Sequence, residues 1–91
     1  MNNSINGVFV FEMNDCDWVV ARSAEEAADW YMDIAAPLDY AGMRALTAEE
    51  LDEFDYFLER RGGPAISFRQ RLQQIVADGS FIPNLFASTN F

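Results

Sequence analysis

Asp15 and Asp17 stand two residues apart, and Glu26 follows Asp15 by eleven. That spacing matches the ends of a calcium-binding loop, which also needs a ligand at its fifth position and a glycine at its sixth. Val19 and Val20 occupy those positions, so a solvated turn is the better reading. Cys16 lies between two carboxylates in a chain without histidine. Neighbouring negative charge disfavours a thiolate, so no nucleophilic cysteine is expected. The missing histidine also removes serine–histidine triads and, with a single cysteine, the usual zinc sites. Arg60-Arg61-Gly62-Gly63 lacks the lysine and hydroxyl ending of a phosphate loop. No catalytic residue, cofactor or metal ligand is assigned.

Carboxylates are the one functional group in excess. Fifteen Asp and Glu face six Arg and no Lys, a net charge of −9 over 91 residues. Residues 1–59 hold fourteen of the acids and two arginines; residues 60–91 hold four arginines and Asp78. Such a charge opposes binding to phosphates or to an anionic membrane. Glu25, Asp29 and Asp33 follow one another at four-residue steps, which makes a stripe along one helix face. Glu49, Glu50, Asp52, Glu53 and Asp55 put five acids in seven residues with no base among them. Solvated helix faces usually mix the two signs. A stripe that opposes its own helix suits a cationic partner, or serves only to keep the chain in solution.

Three capping-box sequences must position these acids. They are Ser23-Ala-Glu-Glu26, Thr47-Ala-Glu-Glu50 and Ser67-Phe-Arg-Gln70. The first predicts a helix from Ala24 to Ala36, stopped by Pro37, with Ala27, Trp30, Tyr31 and Ile34 inward. The second starts at Ala48 with Leu51, Phe54 and Leu58 on one face. Its end is open, because Tyr56 to Glu59 also reads as a strand turning at Gly62-Gly63 towards Ala65-Ile66. The third runs from Phe68 to Asp78 and stops at Gly79.

Gly7 to Met13 and Trp18 to Ala21 read as a hairpin, with Phe81 to Ala87 as a third strand interrupted by Pro83. The first few residues and Ser88 to Phe91 read as loose ends. The expected architecture is a single α+β domain over residues 1–91. A small antiparallel sheet, made of the N-terminal hairpin and a C-terminal strand, carries about three helices on one face. Met1 to Gly7 has no basic residue and the apolar run Val8 to Phe11 is short, so no signal peptide is expected and the chain reads as cytoplasmic.

The stretch Phe9-Val-Phe-Glu-Met-Asn-Asp-Cys-Asp-Trp-Val-Val-Ala21, then Ser23-Ala-Glu-Glu-Ala-Ala-Asp-Trp-Tyr31, resembles small acidic proteins of bacteriophages and prophages. The ending Leu85-Phe-Ala-Ser-Thr-Asn-Phe91 adds to the resemblance. That group includes anti-CRISPR proteins. As a class they bind the nuclease or its RNA-guided surveillance complex, often as DNA mimics that place carboxylates where phosphates would sit. The resemblance implies a non-enzymatic inhibitor acting in the host cell, and it transfers no site residue. From the charge pattern alone, the partner-binding residues are Glu25, Asp29, Asp33, Glu49, Glu50, Asp52, Glu53 and Asp55. Their partner would be a host protein with a basic nucleic-acid-binding surface, such as a CRISPR–Cas subunit, with no direct contact to nucleic acid or membrane. An exposed aromatic such as Tyr40 or Phe91 would anchor the contact. The alternative is a homodimeric assembly module, because both faces of the hairpin strands are apolar and one would need covering.

Overall fold

A computed structural model describes residues 3–13, 17–34, 43–58 and 62–88. Asp15, Cys16, Pro37, Tyr40, Arg60, Arg61 and Phe91 lie outside the described residues.

The apolar N-terminal strands pair as expected. Strand β2 (Val8–Glu12) runs antiparallel to β3 (Asp17–Ala21), with Val10 opposite Val20 and Phe11 opposite Val19. A short strand β1 (Ser4–Ile5) folds back on β2, so these first residues are not a loose end. Asn6 and Gly7 both have positive φ, at 52° and 76°. The tight hairpin turn needs that conformation at both central residues, and Asn-Gly supplies it.

Strand β4 (Arg44–Ala45) pairs with β2 beyond β1. Strand β7 (Asn84–Ser88) pairs with the far edge of β3, with an irregularity where Trp18 faces Ala87 and Val19 faces Leu85. Ser88 thus belongs to the sheet rather than to a free tail.

Helices α1 (Ala24–Ile34), α2 (Ala48–Glu53) and α3 (Phe68–Asp78) start where the capping sequences place them. The Thr47 and Ser67 hydroxyls accept from the N–H groups of Glu50 and Gln70, whose side chains accept in return from the cap N–H. Gly79 closes α3 in the left-handed conformation, φ 68°. Helix α2 ends early. Phe54 is extended, and the chain continues as β5 (Asp55–Phe57), paired with β6 (Ala65–Ser67) in a separate ribbon. The strand reading holds for Tyr56 and Phe57, which pair with Ile66 and Ala65; Leu58 lies beyond the strand and Glu59 outside the described residues. The helical face through Leu58 does not hold, since Leu58 is 52% exposed.

Side chains alternate across a strand, which divides the core in two. Val8, Val10, Val20 and Phe86 pack with Leu51 of α2 and Phe68, Leu72 and Ile75 of α3. Phe11, Met13, Val19 and Ala21 pack with Ala27 and Tyr31 of α1. The α+β class, the small antiparallel sheet and the three helices stand. The helices do not share one face: α2 and α3 cover one side of the sheet, and α1 covers the other. Each fully buried Val, Leu, Ile or Phe contributes about 1.5–3 kcal/mol. A hairpin apolar on both faces therefore has reason to take a helix on each. The uncovered face that motivated a homodimer is occupied by α1.

Phe68 joins the ribbon to the sheet. Its ring meets Trp18, Phe54, Tyr56 and Phe86 edge-on, at centroid distances from 4.9 to 6.4 Å. Such tilted contacts suit the ring quadrupole. No helix among the described residues is long and apolar enough to cross a membrane.

Candidate functional site

Helix α1 presents its acids away from the core because of its spacing. Ala27 and Tyr31 face the sheet. Glu25, Asp29 and Asp33 are offset from that row by two residues, about 200° around the helix axis. All three are exposed. Successive carboxylates are about 6 Å apart along the axis.

Helix α1 is fixed at its start. The Ser23 hydroxyl accepts from the Glu26 N–H at 3.1 Å, and the Glu26 carboxylate accepts from the Arg22 N–H at 2.9 Å. That second bond falls one residue before the one a capping box makes. Further along, the Tyr31 hydroxyl donates to the Asp17 carboxylate at 2.5 Å and ties α1 to the start of β3. Among the described residues, no ion pair involves Glu25, Asp29 or Asp33.

The second acidic group is different. Arg44 donates to both carboxylate oxygens of Glu50, each at 2.6 Å, and to Glu12 at 3.0 Å. Glu50 also accepts from the Thr47 N–H at 2.9 Å. The Arg44 bonds, then the Thr47 bond, hold the Glu50 carboxyl down at about 2, and Glu50 in turn raises the Arg44 pKa. Arg69 donates to Asp52 from Nε at 2.5 Å and to the Ala48 carbonyl at 3.0 Å. Two of the five acids are therefore already engaged by cations of the chain itself.

Glu49 and Glu53 remain exposed on α2, and Asp55 is exposed on β5 rather than on a helix. The eight predicted residues do not form one surface. Glu25, Asp29 and Asp33 come together on one side of the sheet, and the α2 acids lie on the other. The division of charge along the sequence is also not a division in space. Arg69 of α3, from the basic C-terminal third, bonds to Asp52 and the Ala48 carbonyl of the acidic helix α2.

Sequence reasoning missed Arg44 and Arg69 as internal counter-ions. Arg44 is six residues from Glu50 and Arg69 is seventeen from Asp52, separations that no helical rule connects. Among the described residues, no group of three or more His, Cys, Asp or Glu could hold a metal ion. The Arg71 guanidinium lies over the Tyr56 ring at 5.1 Å, a cation–π contact, while its Nε and the Trp18 Nε1 are buried without hydrogen-bond partners among the described residues.

No family model, curated protein or solved structure matches this chain.

Proposed function

We propose that this chain is a non-enzymatic inhibitor, of the phage anti-CRISPR type, that occupies a basic nucleic-acid-binding surface of a host defence complex. The observation that carries the reading is the α1 stripe. Glu25, Asp29 and Asp33 are exposed in a row on a helix anchored by its opposite side, and no cation of the described chain pairs with them.

A DNA strand carries one phosphate per about 3.4 Å of helix axis. Carboxylates about 6 Å apart on a rigid helix stand near the spacing of alternate phosphates. Arg and Lys side chains that normally grip a backbone can therefore meet them. The field of the stripe favours fast association and selects basic partners. Glu50 and Asp52 take no part, because a partner would first have to break their bonds to Arg44 and Arg69. Glu49, Glu53 and Asp55 face another side and contribute to the long-range field.

Competition tests the reading. A protein captured from host lysate on the immobilised chain is challenged with its own DNA or RNA. The expected result is displacement by the nucleic acid, with capture that weakens steeply as salt rises. A captured protein that holds the chain and its nucleic acid together, with affinity indifferent to salt, would overturn the proposal.

A further inference from the structure

We draw no further inference here: the strongest candidate, the exposed Met32 set next to Asp33 on helix α1, belongs to the acidic site already described, and one exposed thioether among carboxylates does not identify a ligand beyond it.

Discussion

At the scale of single residues, Arg44 joins three elements through two carboxylates. Glu12 is on β2, Arg44 on β4 and Glu50 in the first turn of α2. Glu50 titrates near 2 in the fold against 4.5 for an ordinary carboxyl. Between those values the unfolded chain binds the proton and the folded chain does not, so stability falls as pH falls through that window. Above 4.5 the full contribution is present. Glu50→Gln keeps the amide oxygen for the capping box and loses the charge. Urea melts of this variant should show a shallower loss of stability between pH 4.5 and 2 than the parent. Arg69→Glu sets a carboxylate against Asp52 and removes the bond to the Ala48 carbonyl. It should cost on the order of 1 kcal/mol, read as a lower melting temperature that high salt restores only in part. These pairings were not legible in the sequence. The acids were plain to see, but which of them the fold neutralises depends on contacts between distant segments.

Single elements were more legible, because their signals are local. Each helix start was written as a hydroxyl followed three residues later by Glu or Gln, and the structure starts helices at all three. Replacing Ser67 by alanine removes the α3 cap and should cost about 1 kcal/mol in a denaturation experiment. An unchanged midpoint would mean that α3 is held by packing alone. The end of α2 was not legible. Apolar residues continue at helical spacing through Phe54 and Leu58, yet Phe54 leaves the helix to reach the Phe68 ring, at 5.5 Å. Tertiary packing and the pairing of β5 with β6 override the period. The small strand β1 had its signal in Asn6-Gly7, a hairpin turn read instead as the start of a strand. Strand β4 had none, since two residues carry no period.

At the scale of the whole molecule, the sheet separates two acidic surfaces that the sequence presents as one. The alternation of apolar residues in β2 and β3 fixes this, because both faces need a helix. Among the described elements, helix α1 covers one side with its carboxylates outward, and α2 lies on the other with part of its charge cancelled. The central claim is that the α1 stripe makes the contact with a basic partner. Binding of the captured partner by two charge-reversal variants tests it most directly. One carries Lys at Glu25, Asp29 and Asp33; the other carries Lys at Glu49, Glu53 and Asp55. Both sets are exposed, so circular dichroism should show folded chains. In the first, the loss at the helix N-terminus is offset by a gain from Lys near its C-terminus. Reversal on α1 should abolish binding, and reversal on α2 and β5 should weaken it only in low salt. A folded α1 variant that binds with parental affinity would contradict the account and leave the stripe as a solvated surface.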